Sequence, residues 1–127
     1  MSLSPDQNRV TLIVPARTDH LYLLRLNVAA IAGAVFVLDD VEDLKLAIEE
    51  LGAALVRVPD GDPTLRIDID LDGETLTVSG HRRTRDPQAI ALDGFVETIV
   101  DALVDRHTFT RVDDDVRFDF EKRLRDR

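Results

Sequence analysis

The stretch from Leu65 to Ser79 limits the fold of this chain more than any other part of the sequence. Apolar and polar residues alternate strictly from Leu65 to Leu71, which is the pattern of a strand with one buried face. Asp72-Gly73 comes next, and a second run of strand-favouring residues extends from Thr75 to Ser79. Two such runs joined by a two-residue turn predict a β-hairpin.

The aspartates of this hairpin also match the first half of an EF-hand calcium loop. The complete loop needs a bidentate carboxylate at its twelfth position, where this sequence has Ser79. We therefore interpret Asp68, Asp70 and Asp72 as the solvated side of a strand. The three histidines show no metal-ligand spacing either, so we expect no metal site.

Three further strands are predicted, at residues 10–14, 109–112 and 116–120. Pro15 stops the first strand, and the acidic turn 113–115 joins the other two. We expect residues 59–63 to form a loop and the basic stretch 80–88 to be irregular. Residues 1–8 are polar, and we expect them to be frayed.

Apolar residues at helical spacing predict three helices. Asp19 is the expected cap of the first helix, and Asp39 with Glu42 the expected capping pair of the second. The third is expected from Ala89 to His107. The inward-facing residues are predicted to be Leu21, Leu24, Val28, Ile31 and Val35 in the first helix, Leu44, Ile48, Leu51 and Leu55 in the second, and Leu92, Phe95, Ile99 and Leu103 in the third.

The order β-α-α-β-β-α-β-β predicts an α/β two-layer sandwich. Because hairpins dominate, we expect a mixed, mostly antiparallel sheet with the three helices on one face. The first helix is also apolar on its outer faces, which predicts a second covering surface such as a partner subunit. A chain of 127 residues is long enough for one domain, which we place at residues 9–127.

The composition excludes several functional classes. Acidic residues outnumber basic ones by 25 to 16, and a formal charge of −9 disfavours binding to nucleic acid. The absence of cysteine excludes disulfides and thiol chemistry. The sequence shows no membrane-spanning run and no signal-peptide pattern, so we expect a cytoplasmic protein without membrane contact.

Two local patterns have both a structural and a functional interpretation. Glu50 lies beside the apolar stripe of the second helix. Its structural interpretation is a partly exposed helix glutamate, and its functional interpretation is a general base. The basic stretch from His81 to Arg85 is a solvated loop, or a docking site for an acidic partner or a phosphate.

The order of elements and several short strings resemble the anti-sigma factor serine kinases of the GHKL ATPase superfamily, which have the Bergerat or histidine-kinase-like ATPase fold. The strings are Val14-Pro15-Ala16, Leu24-Arg25-Leu26, the run from Val41 to Glu50, and Val96-Glu97-Thr98-Ile99. The resemblance extends from about Val10 to Leu124, and it implies that this fold spans the domain.

The resemblance also implies where a nucleotide would bind, and the sequence departs from the family at each of those positions. Glu50 matches the family's catalytic base, but Ala54 stands where an Asn would hold Mg²⁺. Gly80-His81-Arg82 stands where an Asp-x-Gly would recognise adenine. The segment from Arg83 to Leu92 is too short for the family's Gly-rich lid over the triphosphate and contains no glycine.

The resemblance therefore implies a degenerate member: a non-catalytic partner-switch protein that has lost ATP binding and needs no cofactor. Arg25 matches the first-helix arginine that such proteins use for a sigma factor or an anti-sigma-factor antagonist, and the apolar first helix suits a homodimer. One alternative is an active ATP-dependent serine/threonine kinase. It would use Glu50 as base and metal ligands such as Asp39, or Asp68 and Asp70. Another is a scaffold subunit of an active paralogue.

Overall fold

The computed structural model describes residues 9–125, and their elements follow the predicted order β-α-α-β-β-α-β-β. One turn of 3₁₀ helix, Thr18–His20, precedes the first α-helix. The elements are β1 (Arg9–Pro15), α1 (Leu21–Ala32), α2 (Leu38–Val56), β2 (Thr64–Asp72), β3 (Thr75–Arg83), α3 (Gly94–Leu103), β4 (Arg106–Val112) and β5 (Asp115–Arg123).

The five strands form one sheet in the order β1-β2-β3-β5-β4, and every neighbouring pair is antiparallel. The helices cover one face, with α1 packed on β2, α2 on β3 and β5, and α3 on β4. Alternate strand residues such as Ile67, Val78 and Phe118 are fully buried under the helices. This confirms the two-layer α/β sandwich, with a sheet that is antiparallel throughout.

The predicted hairpin is confirmed as β2 and β3. Asp72 still pairs with Thr75, so the connecting residues are Gly73 and Glu74 rather than Asp72 and Gly73. Gly73 has a φ of +61°, a backbone conformation that glycine adopts without steric cost. In the second hairpin Asp115 pairs with Val112, so the acidic turn is one residue shorter than predicted.

The prediction that residues 80–88 are irregular is wrong for their first part, because β3 continues to Arg83. The alternation begun at Leu76 persists, and it directs Gly80 and Arg82 toward the helices. These two residues pair with Phe118 and Val116 of β5, which extends the ladder.

Both predicted helix caps are wrong. Asp19 lies in the 3₁₀ turn, where its carboxylate accepts hydrogen bonds from Arg17 and is engaged by His20 instead of capping α1. Asp39 lies inside the first turn of α2, which begins at Leu38 without a side-chain cap. A carboxylate in that turn interacts favourably with the positive end of the helix dipole.

The inner stripe predicted for α2 is confirmed, whereas the limits of the other two helices differ from the prediction. α1 ends at Ala32, before Val35. α3 begins after Asp93, whose carboxylate accepts from the backbone N–H groups of Phe95 and Val96. This start buries Val96 and leaves Phe95 75% exposed, so the predicted inward position of Phe95 is wrong.

Leu92 precedes α3, and β4 begins at Arg106, within the span predicted as helix. Across the described part of the chain, none of the helices combines the length and the apolar character needed to cross a membrane. The expectation of a frayed segment at residues 1–8 lies outside the described residues.

Candidate functional site

Glu50 and Ala54 lie one turn apart on α2, so the helix presents them on the same side. Glu50 is half-buried. Its neighbour Glu49 is paired with Arg25, whereas Glu50 itself forms no ion pair or hydrogen bond with residues 9–125. Ala54 lines a cavity of about 310 Å³ at the end of α2.

The segment that links β3 to α3 lines the same cavity as Ala54. Only residues 84–93 make this connection, and they contain no glycine. Asp86, Ile90 and Leu92 of this segment line the cavity together with Arg57, which follows α2, and Phe109 of β4. The lining therefore combines apolar side chains with a carboxylate at residue 86 and a guanidinium at residue 57.

Arg82 extends from β3 to the C-terminal end of α2. The last carbonyls of a helix have no partner within the helix. Arg82 Nη1 donates to the carbonyl oxygens of Leu55 at 3.0 Å, Val56 at 2.8 Å and Val58 at 3.4 Å. Its Nε donates to the carbonyl oxygen of Asp62 at 2.7 Å. Burial lowers the pKa of this guanidinium, against the opposing effect of Asp62. It remains a cation at the negative end of the helix dipole.

Two glycines make room for this arrangement. A Cβ added to Gly61 would lie 2.6 Å from the Arg82 guanidinium carbon. A Cβ added to Gly80 would lie 2.2 Å from the Phe118 ring, which packs over that residue from β5. Gly80 thus makes room for the Phe118 ring, and Arg82 caps the end of α2.

The metal ligands required by the kinase alternative do not come together. Asp68 and Asp70 lie on the open face of the sheet, away from α2, because their neighbours Ile67 and Ile69 point toward the helices. Asp39 lies in the first turn of α2, about three turns from Glu50. Within residues 9–125 no group of three or more His, Asp or Glu side chains is placed to hold a metal ion.

Arg25 lies in a groove between α1 and α2, with a volume of about 660 Å³. Its Nη1 donates to Glu49 Oε1 at 2.7 Å, and both side chains remain about one-third exposed. Tyr22, Leu26 and Leu46 are apolar, exposed and line the same groove. We call this feature the α1–α2 groove. It combines an apolar surface with a cation fixed by an acidic neighbour.

The stretch from His81 to Arg85 is not a single basic patch. His81 lies on the open face of the sheet, where its Nδ1 is 3.1 Å from Asp115 Oδ2. Arg82 points toward the helices, and Arg83 is exposed. Thr84 is buried, with its hydroxyl donating to the carbonyl oxygen of Pro59. The alternation of β3 thus places the basic side chains of His81 and Arg82 on opposite faces of the sheet.

The capping role of Arg82 was not predicted from the sequence. Extending the alternation of β3 beyond Ser79 would have placed Arg82 among the buried positions. A buried arginine requires hydrogen-bond acceptors, and helix ends supply them. The Arg25–Glu49 pair carried no local signal, since 24 residues separate its members.

Comparison with known proteins shows similarity in structure alone. No protein-family model matches the chain, and no curated protein matches its sequence. The chain is similar to a crystal structure of the RsbU and RsbW domains of Rv1364c from Mycobacterium tuberculosis, with a TM-score of 0.75 and 14% sequence identity. The match covers 91% of this chain and 32% of that one, so the chain spans about a third of the length of its structural relative.

Proposed function

We propose that this chain is a non-catalytic, anti-sigma-factor-like regulatory protein of the partner-switch type that has lost ATP binding. The sequence resembles the anti-sigma factor serine kinases, and the similar crystal structure includes an RsbW domain. In this proposal the chain binds a sigma factor or an anti-sigma-factor antagonist and forms a homodimer. Regulation then depends on binding, with no phosphoryl transfer by the chain itself.

The position of Arg82 is the observation that carries the loss of ATP binding. The family requires an open space for adenine at this point, whereas here a guanidinium connects the end of α2 to β3 through four carbonyl acceptors. An incoming base would have to displace a buried cation from these acceptors. That displacement leaves the carbonyls without partners, which is unfavourable.

The other departures from the family act in the same direction. The methyl group of Ala54 cannot coordinate magnesium, and residues 84–93 are too few to form a lid over a triphosphate. Each lost charged or charge-assisted contact removes roughly 1–3 kcal/mol from binding. A nucleotide that binds with a Kd near its millimolar cellular concentration has a binding free energy of only about 4 kcal/mol. The sum of the losses therefore favours a protein without nucleotide.

The α1–α2 groove supports the proposed partner site. Arg25 presents a guanidinium beside the exposed apolar side chains of Tyr22, Leu26 and Leu46. A partner segment with an acidic residue next to apolar ones would match this pattern. The partner's carboxylate would compete with Glu49, so Glu49 both orients Arg25 and limits the affinity.

A thermal melt with and without a few millimolar Mg-ATP tests the loss of nucleotide binding. A ligand present at a hundred times its Kd adds about 2.7 kcal/mol of stability, which raises the Tm of a domain of this size by several degrees. We expect no shift beyond that given by magnesium with inorganic phosphate at equal ionic strength. A shift specific to ATP would contradict the proposal.

Titration of the sigma factors and antagonist proteins of the source organism against the purified chain tests the partner. Arg25→Ala is expected to weaken the bound complex about tenfold, because a charge-assisted contact is lost. Arg17→Ala is the matched control, since Arg17 is an exposed arginine paired with Asp19 outside the groove. Equal weakening by both variants, or no binding of any candidate, would contradict the partner assignment.

Glu50 distinguishes this proposal from the kinase alternative. Because Glu50 forms no ion pair or hydrogen bond with the described residues, Glu50→Gln is expected to leave stability and partner affinity nearly unchanged. If the wild type phosphorylates an antagonist and Glu50→Gln abolishes that activity, the kinase alternative is correct.

A further inference from the structure

The open face of the sheet carries a row of three basic side chains on adjacent strands. Arg66 of β2 pairs with His81 of β3, and His81 pairs with Arg117 of β5. Arg66 and Arg117 are cations, whereas His81 between them adds a positive charge only when its imidazole is protonated. Two cations on one face of a sheet repel each other, and this repulsion is unfavourable for folding unless something offsets it.

Carboxylates on the same face offset part of it. Arg66 contacts Asp68 through Nε and Nη2, and Arg117 contacts Asp119 through Nε and Nη2. His81 contacts Asp115 through Nδ1. Asp68 and Asp119 also accept from Thr11 and Ser79, so hydroxyl groups share these two carboxylates.

Each of the three side chains keeps one nitrogen free of contacts within residues 9–125. Nη1 of both Arg66 and Arg117 forms no hydrogen bond there, and neither does Nε2 of His81. Arg9 of β1 makes no ion pair with the described residues. The four bases line one depression of about 430 Å³, together with Asp68 and Ser79. We call this depression the open-face site.

We propose that the open-face site binds a phosphate-type dianion, either free phosphate or the phosphate group of a small monoester. Four basic residues and one already engaged carboxylate line it, on a chain whose formal charge is −9. Guanidinium groups match the oxygen geometry of phosphate, and free N–H edges supply the donors.

The spacing of the strands fits a ligand of this size. β2 and β5 flank β3, so the backbones that carry Arg66 and Arg117 are about 10 Å apart. Two arginine side chains can reach one tetrahedral anion from such positions, with His81 between them. Bound phosphate would also offset the remaining repulsion between the guanidiniums of Arg66 and Arg117, which favours binding.

This site is independent of the proposed function. It lies on the face of the sheet opposite α1, α2 and the buried Arg82 side chain, because its residues alternate with those that point toward the helices. A negative result here would leave the partner-switch proposal standing. The Mg-ATP melt tests the two proposals separately. A Tm shift with magnesium and inorganic phosphate indicates binding at the open-face site, and only an additional shift with ATP indicates nucleotide binding.

Titration of the purified chain with inorganic phosphate, followed by ¹H–¹⁵N NMR, tests the proposal. Sodium chloride at equal ionic strength is the reference. We expect saturable shifts at millimolar phosphate, centred on the amides of His81, Arg117 and their neighbours in the row. Arg117→Gln is expected to weaken binding about tenfold, since one charge-assisted contact is removed.

Arg123→Gln is the matched control. Arg123 lies on the same face of the same strand and pairs with Glu121 two residues away, as Arg117 pairs with Asp119, but it does not line the depression. This variant is expected to bind phosphate like the wild type. Equal loss in both variants, or shifts no larger than those with chloride, would overturn the proposal.

A parallel titration with glycerol 3-phosphate distinguishes the two sources of the ligand. Binding of both probes would identify a site for a terminal phosphate group on a small molecule. Binding of inorganic phosphate alone would identify a site for the free ion. Binding of neither, in the wild type, would contradict the inference.

Discussion

At the residue scale, Arg82 shows how a single buried cation can hold two elements together. Replacing it with methionine keeps most of the side-chain volume but removes every donor from the α2 carbonyls. We expect Arg82→Met to lower the free energy of unfolding by about 3 kcal/mol, the cost of buried acceptors left without partners. Urea denaturation measures this change, and Arg83→Met, an exposed change one residue away, is expected to cost less than about 0.5 kcal/mol. Equal stability of the two variants would contradict the capping role.

Asp119 links the open face to pH. Burial raises the pKa of this carboxyl, but hydrogen bonds from Arg117 and Ser79 outweigh burial and hold the pKa below its usual value. A carboxylate with a lowered folded pKa stabilises the fold above the unfolded pKa of about 3.9, and this contribution is lost as the pH falls through the folded pKa. We expect the stability difference between wild type and Asp119→Asn to be constant from about pH 7 to 5 and to shrink below about pH 4. Chemical denaturation across that range measures the difference, and a constant value throughout would contradict this linkage.

At the element scale, the contact between β3 and β5 depends on a residue without a side chain. A Cβ at Gly80 would overlap the buried Phe118 ring, so the ring or the strand backbone would have to shift. We expect Gly80→Ala to cost about 2 kcal/mol of stability, a typical penalty for overpacking a core. Gly94→Ala is the control, because a Cβ at Gly94 meets nothing within 4 Å, and it is expected to be neutral or slightly stabilising. Thermal or urea unfolding of both variants checks the prediction, and a neutral Gly80→Ala would contradict it.

Those elements whose signals are local were predictable from the sequence. The β2–β3 hairpin follows from strict alternation and a two-residue turn, and the inner stripe of α2 follows from helical spacing. The limits of α3 were not predictable from spacing alone, because Leu92 and Phe95 fit the helical period as well as Val96 does. The Asp93 cap decides the start of the helix and hence which face is buried.

At the scale of the whole molecule, α1 leaves part of its apolar surface exposed. Tyr22, Leu26 and Ala30 follow one another at intervals of four residues on the outer side of α1, and Leu26 is 61% exposed. We expect sedimentation at micromolar concentration to show a homodimer and Ala30→Glu to shift it to monomer, because a charge is placed in an apolar contact and Ala30 does not line the α1–α2 groove. Phe95→Glu is the control, since it replaces an exposed apolar residue on α3. A monomeric wild type, or dissociation by both variants, would contradict the prediction.

The candidate site was predictable only in part, and distance in sequence explains the difference. Glu50, Ala54 and Arg25 could be selected by short matching strings, whereas their surroundings depend on segments far along the chain. The acceptors of Arg82 lie 20 to 27 residues earlier, and the open-face site joins residues from four strands. No short pattern records such neighbours. The strand order that unites them is a property of the complete sheet.

That strand order also bears on how the protein is made. β5 comes last among the described strands but lies between β3 and β4, so one of its two partners, β3, is synthesised well before it. During synthesis β1, β2 and β3 can pair with one another first. The other edge of β3 stays unpaired until residues 115–123 have left the ribosomal exit tunnel. During that interval Val78 and its apolar neighbours on β3 lack the cover of Phe118 and Phe120. An unpaired strand edge of this kind is prone to aggregation, so the late synthesis of β5 leaves β3 exposed to wrong pairing until β5 is present.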